Sequence, residues 1–157
     1  MKKIQLLFTL LIFIFPIISF GQMKSSVKKK TKILREEAIK EKKDWEFELG
    51  GIIVFEENGH GLVAAEYDDS NYGAKFEKAK IACDNLNLNG HEDWYLPSVE
   101  ELKLLHLKKS EIGTFTDNSY WSSTLTRTYK AWVIDFKTGD QAYGKGNGFH
   151  YRCVRKF

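Results

Sequence analysis

Cysteine and proline are nearly missing from this 157-residue chain, which holds two of each. No cysteine precedes Cys83, so nothing near the N-terminus can carry the acyl chains of a bacterial lipoprotein, and lipid anchoring by that route is excluded. His60, His91, His106 and His150 lack both the cysteine partners and the i, i+4 pairing of zinc sites, so no metal is expected. Positive charge is missing where a nucleic-acid binder needs it. Residues 50–157 hold 13 Lys and Arg against 15 Asp and Glu, a net −2, although the whole chain is +3. A nucleic-acid partner is therefore not expected. No apolar run after residue 20 could span a bilayer. A Gly-x-Ser-x-Gly nucleophile elbow is also lacking. The glycines at 144, 146 and 148 lie between strand patterns, where they cannot open a helix as a phosphate cradle does.

What is present begins with a leader. Lys2 and Lys3 precede an apolar run from Ile4 to Phe20, and Ser19 and Gly21 place small residues before a cut between Gly21 and Gln22. That order is the signature of a cleavable secretory signal over residues 1–21, with Pro16 late in the run favouring cleavage over an anchor. The expected destination is the periplasm, the cell surface or the medium, with no stable membrane span after cleavage. Residues 22–49 are rich in Lys and Glu and poor in apolar residues, so they read as a charged linker, flexible or partly helical, with a basic patch that touches an anionic cell envelope as the alternative to a solvated charge run. Two cysteines in an exported chain most simply close one bridge, Cys83 to Cys153. For so long a loop the chain-entropy contribution is at most about 4 kcal/mol.

The folded part is expected at residues 50–157. An apolar strand over 52–55 leads to Asn58-Gly59, which supplies the positive φ angles of a tight turn ahead of a second strand at 62–67. This predicts a hairpin, and Gly61 predicts a loop longer than two residues. Residues 68–73 read as a polar, solvated loop, because the oxygens of Asp68, Asp69, Ser70 and Asn71 miss the calcium-loop spacing. Phe76, Ala79, Cys83 and Leu86 recur at three and four residues, predicting a helix over 74–88 with Cys83 facing the core. A second helix starts after Pro97, where Ser98 and Glu101 form a capping box, with Val99, Leu102, Leu105 and at its margin His106 on the apolar face. Strands are predicted at 120–125, 131–136, 141–143 and 149–155, and the glycine-rich stretch 144–148 reads as a mobile loop. In the last strand Phe149, Tyr151 and Cys153 share one face, and His150, Arg152 and Val154 the other. Helices inserted between antiparallel hairpins make an α+β domain.

Three segments carry a resemblance. Asp93-Trp94-Tyr95-Leu96-Pro97-Ser98 leads into Glu100-Glu101-Leu102, Tyr120-Trp121-Ser122-Ser123-Thr124 follows, and Tyr151-Arg152-Cys153-Val154-Arg155 closes the chain. In this order they resemble the bacterial DUF1566 family, also called the Lcl C-terminal domain after a Legionella collagen-like adhesin. That family has Trp-Arg-Leu-Pro-Thr, Tyr-Trp-Ser-Ser and Arg-Cys-Val-Arg, and Tyr95 stands here where it usually has Arg. The resemblance implies a C-type-lectin-like fold, shared with formylglycine-generating enzymes, in which a disulfide ties the first helix to the last strand. Cys83 and Cys153 sit in those two elements. The Glu-Pro-Asn and Trp-Asn-Asp signatures of calcium-dependent lectins are not in the sequence, and no cofactor is expected.

Trp94, Trp121 and Trp132 could stack on sugars, but large aromatics in strand patterns of a small domain are expected in its core. His91-Glu92-Asp93 is a local polar cluster in a turn, where such residues are ordinary. With both cysteines assigned to an inward bridge, thiolate catalysis of the formylglycine type is not expected. The favoured expectation is a non-catalytic binding or adhesion module for a glycan or an envelope protein. Its candidate surface is Asp117, Asn118, Arg127, Tyr129, Tyr143 and Asn147, polar and tyrosine side chains at strand ends and loops. An enzyme related to the formylglycine-generating group and a structural part of an envelope complex are the alternatives.

Overall fold

The computed structural model describes residues 20–68, 72–145 and 148–157. The proposed leader therefore lies almost wholly outside the described residues. Helix α1 runs from Phe20 to Glu48. The chain divides into two compact units, residues 1–41 and 42–157, so the last turns of α1 belong to the second unit.

That second unit is an α+β domain with two three-stranded antiparallel sheets. Strands β1 (Ile52–Glu57), β2 (His60–Ala64) and β6 (Val154–Lys156) form one in the order β1-β2-β6. Strands β3 (Ser119–Leu125), β4 (Ala131–Asp135) and β5 (Gln141–Tyr143) form the other in sequence order. Helices α2 (Phe76–Asp84), α3 (Val99–Leu107) and α4 (Lys109–Ile112) lie between β2 and β3 in the chain.

The alternation of strand side chains divides the interior into two clusters. Leu62, Ala64, Tyr120, Ile134 and Val154 join Val99, Leu102 and Leu105 of α3 in the first. Their neighbours Val63, Ala65, Trp121, Val133 and Cys153 join Ala79 and Cys83 of α2 in the second. Both sheets are thus packed on two faces, with α3 and α2 on opposite sides. The disulfide Cys83–Cys153, Cα atoms 5.3 Å apart, ties α2 to the chain entering β6.

Three local expectations change in the structure. The first hairpin closes on a two-residue turn: Asn58 (φ 53°) and Gly59 (φ 80°) sit between the paired residues Glu57 and His60. Gly61 does not lengthen that loop. It lies in β2, where an added Cβ would stand 2.2 Å from the Phe55 carbonyl oxygen and 2.7 Å from the Phe157 ring. Helix α2 is shorter than the 74–88 periodicity predicts, because Ala74 instead exchanges backbone hydrogen bonds with Phe149. The final strand is short for a related reason: the backbone groups of residues 149–153 serve scattered partners, the Phe149 and His150 amides donating to the Ala74 and Ser119 carbonyls while the His150 and Cys153 carbonyls accept from the Trp121 and Ala65 amides.

Helix α3 forms as its sequence dictates. The Ser98 hydroxyl accepts from the Glu101 amide at 3.2 Å, and the Glu101 carboxylate accepts from the Ser98 amide at 2.8 Å. Thr124 Oγ1 adds a third contact, accepting from the Val99 amide at 2.9 Å.

Candidate functional site

Among the described residues, Arg152 is a fully buried charge whose side chain has no exposed surface. Its Nε donates to Asp68 Oδ1 at 2.6 Å, Nη1 to the Ala65 and Glu66 carbonyls at 3.0 and 3.1 Å, and Nη2 to the Thr114 carbonyl at 3.0 Å. The guanidinium also lies 4.1 Å from the centre of the Phe115 ring. A planar fork of five donors is the one side chain that can serve so many fixed acceptors. Thr114 is held at φ 60°, a region a β-branched residue rarely adopts;. Its carbonyl and hydroxyl both accept from Arg152, which offsets the strain.

Asp68 therefore is no solvated loop residue. Burial leaves its side chain 11% exposed, and Oδ2 accepts from the Tyr120 hydroxyl. Burial first, and that hydrogen bond second, push the Tyr120 phenol up to about 12. The same hydroxyl accepts from the Thr116 amide at 2.9 Å. Asn118 Nδ2 reaches Thr116 Oγ1 and His150 Nε2, each at 3.1 Å. His150 Nδ1 is buried, has no hydrogen-bond partner among the described residues, and stands 3.9 Å from Asp68 Oδ2. A polar chain thus runs from the core at Arg152 through Asp68, Tyr120 and Thr116 to Asn118 and His150 at the surface.

At that surface lies a groove of about 420 Å³ lined by Tyr72, Asp117, Asn118, Ser119, Asp135 and His150, with Gly148 and Phe149 at its edge. Two of the six surface residues expected from sequence, Asp117 and Asn118, meet here. Lys109 approaches Asp117 at 3.9 Å. Asp135 is partly committed, since its Oδ1 accepts from the Lys137 and Thr138 amides.

Arg127 and Tyr129 stand apart in the turn between β3 and β4, and Tyr129 is 85% exposed at φ 57°. It lines a second groove with Lys75, Lys78, Lys130 and the edge of Trp121. Tyr143 lies in β5 against Trp132, ring centres 4.4 Å apart. Asn147 falls outside the described residues, as do Asp69, Ser70 and Asn71.

The tryptophans divide as their environments dictate. Trp94 and Trp121 are buried at 2% and 3% exposure, and their indole N–H groups donate to the His91 and Ala74 carbonyls. Trp132 is only half-buried. The His91-Glu92-Asp93 cluster does not converge. His91 Nε2 faces the Glu48 carbonyl, Glu92 accepts from Asn87, and Asp93 pairs with Arg155. Among the described residues no three His, Cys, Asp or Glu side chains gather as metal ligands.

The three signature segments touch one another. Ser123 donates its amide to the Pro97 carbonyl at 2.7 Å, Thr124 caps Val99, and Tyr95 exchanges backbone hydrogen bonds with Val154. Tyr95 donates its hydroxyl to Glu101 Oε1 at 2.8 Å. Fold and site together define a disulfide-tied α+β domain whose motif residues build the scaffold under a polar groove. The chain belongs to the Lcl C-terminal domain family, which matches residues 38–155. No curated protein matches it.

Sequence alone places Asp68 in a solvated loop and does not pair it with Arg152. The available signal was an arginine alternating with core residues in the closing segment, a placement that demands a buried acceptor.

Proposed function

We propose that this chain is an exported, non-catalytic binding module with a C-type-lectin-like fold, and that it recognises a glycan in the groove around Asn118 and His150. The observation that carries the reading is the polar chain from Arg152 to Asn118, which holds the groove's hydrogen-bonding groups on a buried clamp. Preorganised donors and acceptors on a rigid frame lower the ordering penalty of binding. Asp117 and Asp135 offer carboxylate acceptors for sugar hydroxyls, and Ser119 a hydroxyl. The almost fully exposed Tyr72 ring, at 94%, presents a face for sugar C–H groups. The closed disulfide supports a place outside the cytoplasm, since such bridges persist in oxidising compartments. It also leaves neither cysteine free for thiolate chemistry of the formylglycine type.

A second reading, an envelope-protein ligand, is favoured by Tyr129. A large aromatic held exposed on left-handed backbone gains little packing and is suited to contact with a partner.

A glycan array with the exported protein tests the first reading, with Asp117→Ala and Asn118→Ala alongside. Each substitution is expected to weaken the retained sugar by about tenfold, the loss of one or two hydrogen bonds. An array and an envelope pull-down that both stay blank at high protein concentration would remove both readings.

A further inference from the structure

Residues 1–41 form a unit of their own, and from Phe20 onward it is helical. Isolated helices draw little stability from propensity alone and much from whatever their apolar face meets. At 3.6 residues per turn, Met23, Val27, Leu34 and Ala38 fall within an arc of roughly 60°. Met23, Val27 and Leu34 are 55%, 60% and 55% exposed, and Ala38 is exposed as well. Lys24, Lys28 and Arg35 border the arc on one side and Lys30 with Glu37 on the other, and Glu41 closes its C-terminal end.

Charge says what covers this arc. Residues 22–41 hold seven Lys and Arg against three Glu, a net +4, whereas residues 42–157 hold 15 against 18, a net −3. A second copy of the same segment would bring +4 against +4, so self-association is opposed. An anionic surface is matched.

We propose that this basic amphipathic stretch lies flat on a bilayer rich in anionic lipid. The apolar arc rests at the acyl boundary while the lysine and arginine stems extend along it and place their charges among the phosphates. No described helix is long and apolar enough to cross a membrane, and a helix with charged residues around most of its circumference is suited to a peripheral contact. Four small or medium apolar side chains give a modest insertion. Electrostatic attraction therefore supplies most of the affinity, and binding is reversible and salt-sensitive. This inference does not rest on the groove or on its ligand.

Flotation of the exported, leader-free protein with vesicles tests it. Vesicles of phosphatidylglycerol and phosphatidylcholine in equal parts are expected to carry the protein, and pure phosphatidylcholine vesicles are not. Salt at about 0.5 M should release it, because screening then acts within a few ångströms. Replacing Lys24, Lys28 and Lys30 together by Gln should weaken partitioning roughly a hundredfold, and Val27→Ser with Leu34→Ser at least about tenfold. Equal binding to both vesicle types, or none to the anionic ones, overturns the proposal. So does a wild-type dimer in solution that Leu34→Ser splits, since the arc would then be covered by a second copy.

Discussion

Arg152 and Asp68 lie 84 residues apart in the chain and meet at 2.6 Å, the arginine fully enclosed and the aspartate nearly so. Through this pair the closing segment is locked to the loop that follows β2, and the groove-lining residues are reached through Tyr120.

Asp68→Ala would leave a buried guanidinium without its counter-charge. Breaking such a pair by removing one partner costs about 3–5 kcal/mol. Urea denaturation of the variant is expected to show a loss of that size. Arg152→Lys should not rescue the fold, because an ammonium cannot reach acceptors on Ala65, Glu66, Asp68 and Thr114 together. A lysine variant as stable as wild type would contradict this account of the clamp.

Alkaline pH should loosen the domain. Burial and the bond to Asp68 raise the Tyr120 phenol to about 12, and burial with the bond to Glu101 raises Tyr95 further. A group whose folded value is raised contributes stability in full below its unfolded value, near 10, and loses it as pH climbs through the folded one. Stability should therefore fall from about pH 10 upward. Ultraviolet titration should find these two phenols ionising well above the ordinary tyrosine value, near 10;.

The acid limb has the opposite sign. The bidentate bond from Arg155 holds the Asp93 carboxyl below its ordinary range, burial opposing it. At Glu101 burial would raise the value. Hydrogen bonds from the Ser98 amide and the Tyr95 hydroxyl, with Lys156 nearby, outweigh it and lower the result. Depressed carboxyls contribute stability above their unfolded values and lose it as pH falls through the folded ones. Denaturation midpoints should begin to drop below about pH 5. Glu101→Gln should flatten that drop more than Asp93→Asn, because the Asp93 side chain is 58% exposed and its pair is screened by water;.

Local chemistry made much of this fold legible. Ser98 and Glu101 announce α3 because the capping box is complete within four residues, and Asn58-Gly59 announces a turn because few residues take positive φ. The facing of residues 149–154 also reads correctly: Cys153 goes to one cluster and Val154 to the other. Long-range demands are what the sequence hides. Gly61 resembles a loop glycine until Phe55 and Phe157 are seen against it, and Asp68 resembles a solvated residue until Arg152 arrives from the far end of the chain. Likewise Asp117 and Asn118 share a groove while Tyr129 does not, a distinction set by how the two hairpin ends diverge.

The N-terminus of α3 offers a double-mutant test. Ser98 and Thr124 hold different amides of the same helix end, on Glu101 and Val99. Ser98→Ala should cost about 1 kcal/mol, the usual loss for an N-cap. Thr124→Val removes the other acceptor and also loosens the contact between α3 and β3, at about 1 kcal/mol. Since both act on one helix terminus, the double variant should depart from additivity by roughly 0.5 kcal/mol or more in urea unfolding. Strict additivity would mean that the two segments are held together by packing alone.

The disulfide provides the remaining test, because Cys83 is fully buried and Cys153 nearly so. A bridge closing so long a loop stabilises chiefly by restricting the unfolded chain, by up to about 4 kcal/mol. Cys83→Ser with Cys153→Ser should therefore lower unfolding stability by roughly 2–4 kcal/mol while leaving the folded spectrum unchanged, since α2 still packs through Ala79. The native protein should show no thiol reactive towards a maleimide until it is unfolded and reduced. Rapid labelling of both sulfurs in the native protein would mean that no covalent tie joins α2 to the chain entering β6, and would reopen thiolate chemistry for this domain.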